Sequence, residues 1–110
     1  MYINSMGCYI PSARIPNSYY EQLNGLEEGW ITPRTGILTR SRCADGEGVD
    51  SMGLEAIDDA VKTLPYSIRD VDLIVSASYC VYDSVATLGH KAQREYQTEG
   101  AKVVYASSAC

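Results

Sequence analysis

The stretch from residue 71 to residue 106 constrains the fold of this chain most, because a helical pattern lies between apolar runs of strand length. The first run is LIV at residues 73–75, which is typical of a strand that a parallel sheet buries on both faces. Apolar residues then recur at helical spacing, at Val85, Leu88, Ala92 and Tyr96. Residues 103–106 predict the final strand. This order predicts an α/β fold with parallel strands and right-handed crossovers.

The earlier part of the chain predicts one more strand, a short helix and a long loop. Residues 2–10 carry β-favouring side chains and predict a strand. Asn17 is expected to cap a short helix whose inward face includes Tyr20 and Leu23. Residues 30–50 show no lasting period and predict an irregular loop. Long ordered loops in a compact domain are usually functional.

The clearest helical pattern follows that loop, and Asp50 or Ser51 is expected to cap it. Its apolar face is expected to comprise Leu54, Ile57, Val61 and Leu64. Pro65 is expected to end the helix. With 110 residues, the chain is expected to form one domain at most.

Charge and residue spacing exclude several classes of protein. A net charge of −5 leaves no dense basic face for nucleic acid. No apolar run is long enough to span a bilayer, and the first residues lack the pattern of a signal peptide. The sequence therefore predicts a cytoplasmic protein. The cysteines are widely spaced and His90 has no cysteine beside it, so no metal site is expected.

Cys110 follows the final predicted strand after the small residues SSA at residues 107–109. Sites in parallel α/β sheets form beyond the carboxyl ends of strands. A helix beginning near Cys110 would favour its thiolate, which is the nucleophilic form. The spacing alone leaves two interpretations open, a catalytic nucleophile or a thiol without a role.

Trp30 and Arg34 stand out in the string WITPRTGI at residues 30–37, and Arg40 and Arg42 follow it. An indole ring offers a surface for stacking, and a guanidinium group suits phosphate through its planar donors. The alternative is that Trp30 anchors a core and that the arginines are solvated. Composition alone favours this alternative.

Several motifs together resemble β-ketoacyl-acyl-carrier-protein synthase III, an initiating condensing enzyme of the thiolase superfamily. The resemblance covers the whole chain, and the Trp30 string and the terminal Ala-Cys are its most specific parts. The motifs are G-x-Y-x-P at 7–11, Asn17, the string at 30–37, R-x-R at 40–42, DLIV at 72–75 and SAC at 108–110. Residues 82–85 depart from the proline-containing loop expected there, which points to a divergent branch.

The resemblance implies a role for three residues. Cys110 would accept an acyl group from acyl-coenzyme A, and the acyl-enzyme would then condense with decarboxylating malonyl-acyl carrier protein. Trp30 would stack on the adenine of coenzyme A, and Arg34 would contact the nucleotide end of the same ligand. The family's catalytic histidine and asparagine belong to the second half of the subunit, and His90 lies too far upstream to replace that histidine.

The resemblance also implies that this chain is the N-terminal half of a thiolase-like fold, incomplete, with a mostly parallel sheet and packed helices. Acyl-coenzyme A would be a substrate, and no separate cofactor is expected. The expected partners are acyl carrier protein, the missing C-terminal half or a second polypeptide, and a second subunit in a homodimer. The missing half would cover one sheet face, so the chain alone is expected to fold poorly and to lack condensing activity. The alternative is a non-catalytic truncated fragment that acts at most as a coenzyme A-binding or dimerisation module.

Overall fold

The computed structural model describes residues 2–78 and 86–107. The chain divides into two compact units. We call Ile10–Glu47 the loop unit, and Met1–Tyr9 together with Gly48–Cys110 the sheet unit. No helix in the described ranges has the length and apolar character needed to cross a membrane.

The sheet unit contains the predicted order of strand, helix and strand. Helix α3 comes first and is followed by strand β3, helix α4 and strand β4. Strands β3 and β4 pair in parallel, with Leu73 opposite Lys102 and Ala77 opposite Ala106, so the predicted parallel pairing is confirmed. The elements are α3 Val49–Val61, β3 Leu73–Ala77, α4 Leu88–Glu95 and β4 Lys102–Ala106.

Helix α3 begins near its predicted start but ends early. Its N-cap position is Gly48, whose N–H donates to the Ser51 hydroxyl at 2.9 Å. The helix ends at Val61, before Pro65 is reached. A short 3₁₀ helix, Ile68–Asp70, then leads into β3.

Helix α4 packs closely on one face of the β3–β4 sheet. A Cβ atom on Gly89 would lie 2.7 Å from Val103 Cγ1 and 3.0 Å from Ser76 Oγ. Only a glycine therefore allows the helix to come this near the strands. Ala92, on the same helix, is among the most buried residues.

The opposite face of this sheet is exposed in the chain. Leu73 is 52% exposed, Val75 is 60% exposed and Val104 is 48% exposed. The apolar run predicted a strand buried on both faces, and in this chain α4 covers only one face of β3. Alternation along the strands places these three side chains on the uncovered side.

Residues 2–10 do not form the predicted strand. In the sheet unit this segment lies against α3 instead of pairing with a strand. The Ser5 hydroxyl donates to the Ala60 carbonyl, and the Cys8 N–H donates to Asp59 Oδ2 at 3.2 Å. The prediction failed because β propensity needs a neighbouring strand to become a ladder.

The loop unit contains regular elements where an irregular loop was predicted. Strands β1 and β2 pair antiparallel, with Ala13 opposite Arg42 and Pro16 opposite Thr39. The prediction of an irregular loop over residues 30–50 is therefore wrong, since α2 and β2 lie within it. The elements are β1 Ala13–Pro16, α1 Asn17–Leu23, α2 Thr32–Thr35 and β2 Thr39–Arg42.

The predicted short helix is present as α1, but its orientation differs from the prediction. The N-cap position is Pro16, and Asn17 is the first helical residue. Of the predicted inward face, Tyr20 is half-buried and Leu23 is exposed, whereas Asn17 and Glu21 are buried. The helix therefore turns polar side chains toward the rest of the loop unit, and these side chains build the candidate site.

Candidate functional site

Trp30 and Arg34 form a pair on the surface of the loop unit. The Arg34 guanidinium carbon lies 4.1 Å from the centre of the Trp30 ring, within the range of a cation–π contact. Arg34 Nη1 also donates to the Trp30 carbonyl at 2.9 Å. Trp30 is 39% exposed. The interpretation of Trp30 as a core anchor is therefore wrong, and Arg34 is not merely solvated.

The short helix α2 sets the spacing of this pair. Its N-cap position is Ile31, and Pro33 lies in its first turn, where a missing N–H costs no helical hydrogen bond. Gly36 ends the helix with a φ of 68°, which favours glycine. Its N–H donates to the Thr32 carbonyl at 2.8 Å. Because Ile31 is buried, it fixes the segment directly after Trp30.

Glu21 holds the backbone on both sides of Trp30. Its Oε2 accepts the Gly29 N–H at 3.0 Å, and its Oε1 accepts the Ile31 N–H at 3.0 Å. The side chain is almost fully enclosed, since the residue is only 4% exposed. The hydrogen bond from Ile31, followed by that from Gly29, lowers the pKa of the Glu21 carboxyl, although burial opposes the shift. The geometry thus favours an ionised Glu21.

Asn17 holds the far end of the same segment. Its Nδ2 donates to Thr32 Oγ1 at 2.9 Å and to the Ile37 carbonyl at 2.5 Å. Its Oδ1 accepts from Arg40 Nη1 at 2.9 Å. Asn17 was predicted to cap α1, and its side chain instead joins α1 to the segment that carries Trp30 and Arg34.

Arg40 and Arg42, the arginines of the R-x-R motif, have surroundings that differ from those of Arg34. Arg40 lies 5.2 Å from the centre of the Tyr20 ring and also contacts Asn17. Arg42 is exposed at the end of β2. Arg40 is therefore half-buried against α1, and Arg34 is the arginine that accompanies the exposed indole.

The arrangement suits a ligand that has a flat ring and negative charge. An exposed indole can stack on a base, since every base presents a π face. The guanidinium of Arg34 has further donors beyond the one that it gives to the Trp30 carbonyl, and they match phosphate oxygens. The pair can therefore bind the nucleotide end of a cofactor-like molecule.

The predicted nucleophile Cys110 lies outside the described residues, as do Ser108 and Ala109. The strand that leads toward it is present as β4, which ends at Ala106. Because β3 and β4 are parallel, their carboxyl ends share one edge of the sheet. Sites of α/β proteins form beyond such edges. The variant segment at residues 82–85 also lies outside the described ranges.

From the sequence, His90 was considered and given no role in the site, whereas Glu21 was not considered. His90 is exposed, and its Nδ1 lies 3.0 Å from Thr87 Oγ1 at the start of α4. The sequence interpretation did not include Glu21. The signal in the sequence is that Glu21 lies four residues after Asn17, which places both side chains on one helix face. This helix ends shortly before a turn that contains Gly25.

Comparison with known proteins gives relatives of one kind. No family model matches the chain. It is 35% identical over 83 residues to β-ketoacyl-acyl-carrier-protein synthase III 1 of Deinococcus radiodurans, a match that covers 76% of the chain and 24% of that protein. It is 32% identical over 77 residues to synthase III 2 of Halalkalibacterium halodurans, covering 70% of the chain and 23% of that protein.

Solved structures agree with these relatives. The priming β-ketosynthase of the R1128 polyketide pathway superposes with a TM-score of 0.89 at 24% identity, over 98% of the chain and 32% of that protein. The 3-oxoacyl-acyl-carrier-protein synthase III of Aquifex aeolicus superposes with a TM-score of 0.84 at 28% identity, over 98% of the chain and 35% of that protein.

The fold is therefore that of part of a thiolase-fold ketosynthase, and the predicted α/β class is confirmed. The predicted resemblance is confirmed as well, since the chain is homologous to part of β-ketoacyl-acyl-carrier-protein synthase III. The chain spans about a quarter of the length of these curated relatives, which is 24% of the Deinococcus protein.

Proposed function

We propose that this chain is part of an acyltransferase of the 3-oxoacyl-acyl-carrier-protein synthase III type, working in fatty-acid or related lipid or polyketide synthesis. The observation that carries the proposal is the exposed Trp30–Arg34 pair in a chain homologous to these synthases. The pair has the ring and the charge that coenzyme A requires of a binding site. The proposed setting is the cytoplasm.

The proposed chemistry begins at Cys110. Its thiolate attacks the thioester carbonyl of acyl-coenzyme A, and the bond to sulfur breaks so that coenzyme A leaves as a thiolate. Malonyl-acyl carrier protein then loses carbon dioxide, and the resulting carbanion attacks the acyl-enzyme. The new carbon–carbon bond gives 3-oxoacyl-acyl carrier protein and returns the Cys110 thiolate. Covalent catalysis thus divides a difficult condensation into easier steps.

Trp30 and Arg34 have a binding role in this scheme. The indole stacks on the adenine of coenzyme A, and the guanidinium contacts the nucleotide end. The contact between the two side chains at 4.1 Å supports this assignment, because it holds the ring and the charge as one surface. Neither side chain takes part in bond making.

The remainder of the proposed enzyme would supply the groups that stabilise decarboxylation, a histidine and an asparagine. It would also cover the apolar face formed by Leu73, Val75 and Val104, whose exposure supports the proposal that this chain is an incomplete half-domain. A homodimer of the complete subunit is part of the proposal.

The test is a condensation assay on the complete polypeptide that contains this chain, with acyl-coenzyme A and malonyl-acyl carrier protein. We expect 3-oxoacyl-acyl carrier protein by mass spectrometry, and a Cys110→Ala variant as the negative control. Coenzyme A binding without any condensed product would contradict the proposal. It would favour a non-catalytic coenzyme A-binding module instead.

A further inference from the structure

We infer that Glu21 is a positioning residue for the Trp30–Arg34 pair, and that Asn17 assists it from the same face of α1. The inference rests on the proposed function for the identity of the ligand. The positioning itself rests on contacts within the loop unit. The carboxylate accepts from Gly29 and Ile31, the two neighbours of Trp30 in the chain.

A carboxylate is needed at this place because two N–H donors point at one side chain. Glu21 offers an acceptor oxygen to each donor, both at 3.0 Å. A glutamine would offer one oxygen and one NH₂ group, and that NH₂ group would face a backbone N–H without an acceptor. The site therefore distinguishes Glu from Gln, although the two side chains have nearly the same shape.

Hydrogen bonds from backbone N–H groups stabilise the negative charge of Glu21. The ion pairs Lys62–Asp59 and Lys91–Asp50 do not involve Glu21. A buried ionised carboxylate is costly unless hydrogen bonds compensate it. The compensation here comes from the turn that carries Trp30, so that turn keeps its shape while Glu21 stays ionised.

Trp30 is 39% exposed, so packing encloses its ring only in part. Its backbone N–H donates to the Glu27 carbonyl at 3.1 Å, and Glu21 fixes the residues before and after it. Arg34 then holds the ring from one side. A preorganised side chain loses less conformational entropy when a ligand binds.

Asn17 completes the support one helical turn earlier on α1. Its contacts with Thr32 and Ile37 fix both ends of the short helix that carries Arg34. Glu21 thus holds the segment before α2, and Asn17 holds α2 itself. One face of α1 positions both members of the ligand-facing pair.

The experiment compares Glu21→Gln with Glu28→Gln in the complete polypeptide. Glu28 is an exposed carboxylate near the same turn and is the matched control. Fluorotryptophan labelling gives a ¹⁹F signal for Trp30, identified as the one that a Trp30→Phe variant lacks. Calorimetry with coenzyme A gives the affinity, and steady-state kinetics give kcat at saturating acyl-coenzyme A.

We expect Glu21→Gln to move or broaden the Trp30 signal and to raise the Kd for coenzyme A by up to about tenfold, because the lost charge-assisted hydrogen bond no longer holds the turn in its binding conformation. The kcat at saturation stays within about twofold, because Glu21 touches no reacting atom. Thr32→Val is a milder variant that removes only an acceptor of Asn17. It should change the same quantities in the same direction by about threefold.

The inference is overturned if Glu21→Gln and Thr32→Val leave the Trp30 signal as it is in Glu28→Gln. The proposed function is judged separately by Trp30→Ala. If that variant binds coenzyme A as well as the unaltered protein, the ligand assignment fails, and the ¹⁹F signal still decides whether Glu21 positions Trp30.

Discussion

The loop unit and the sheet unit differ in the interactions that stabilise each of them internally. In the sheet unit, the described contact between α4 and the parallel strands is a close approach at Gly89 and Ala92. In the loop unit, the buried side chains of α1 are polar and hold a turn through hydrogen bonds. The comparison teaches that the helix–sheet contact depends on the size of the side chains, whereas the candidate site depends on hydrogen bonds from buried polar side chains. In the proposed enzyme they also have different tasks, since the sheet unit leads to Cys110 and the loop unit carries Trp30.

The largest effect is expected at the proposed nucleophile. In the complete polypeptide, Cys110→Ala should lower kcat for condensation by at least about 10⁴-fold, because the covalent step has no substitute. Cys8→Ala is the matched control, since Cys8 is an exposed thiol on the segment that lies against α3. Equal activity of the two variants would contradict the proposal that Cys110 is the nucleophile.

A strong effect on stability is expected where α4 meets the sheet. Gly89→Ala places a methyl group 2.7 Å from Val103 Cγ1. Such overpacking typically costs about 1–3 kcal/mol. Urea unfolding of the complete polypeptide should show the loss, whereas Gly100→Ala should show little, since nothing lies within 4 Å of a Cβ atom there. Equal urea midpoints for the two variants would mean that the sheet unit has room for a side chain at residue 89.

A smaller effect on binding is expected in the loop unit. Trp30→Ala should raise KM for acyl-coenzyme A about tenfold, since stacking of a base on an aromatic ring is worth about 1–3 kcal/mol. The kcat should change little, because the ring touches no reacting atom. Steady-state kinetics check this, with Tyr66→Ala as the control at an exposed aromatic residue of the sheet unit. A fall in kcat with an unchanged KM would contradict a binding role.

The smallest effect concerns pH. The pKa of Glu21 is lowered from 4.5 by the hydrogen bonds from Ile31 and Gly29. A lowered folded-state pKa adds stability that is fully present above the unfolded-state value and is lost as pH falls through the folded-state value. The difference in free energy of unfolding between the unaltered protein and Glu21→Gln should therefore be constant near neutral pH. It should shrink as pH falls below 4.5.

Urea unfolding of both proteins over this pH range provides the measurement. Asp59 also has a lowered pKa, mainly through its hydrogen bond with Lys62. Its contribution cancels, because Asp59 is present in both proteins. A difference that stays constant down to acidic pH would show that the charge of Glu21 does not stabilise the turn.

The sheet unit was largely predictable from the sequence. The LIV run at 73–75 and the helical spacing of Leu88, Ala92 and Tyr96 depend on short-range patterns, and β3 and α4 confirm them. The apolar run does not reveal which layers cover β3, and in this chain α4 covers only one of its faces. Residues 2–10 failed for a related reason, since a strand needs a partner that the pattern does not identify.

The loop unit was predicted less well, because its structure depends on distant partners. The sequence TRSR of β2 has no apolar alternation, and its pairing with β1 spans the whole unit. Asn17 has the character of a helix cap, yet it bonds to Thr32 and Ile37 far along the chain. Trp30 and Arg34 were each assigned a contact with coenzyme A through the resemblance, whereas their contact with each other and the buried carboxylate of Glu21 became visible only in the fold.

The central claim is that this chain carries the acyl-accepting cysteine of a synthase III. The most direct test is intact-mass analysis of the complete polypeptide after incubation with acyl-coenzyme A, followed by peptide mapping. The account predicts a mass increase of one acyl group that maps to Cys110 and is absent in Cys110→Ala. An unmodified protein, or acyl groups spread over Cys8, Cys43 and Cys80, would contradict it.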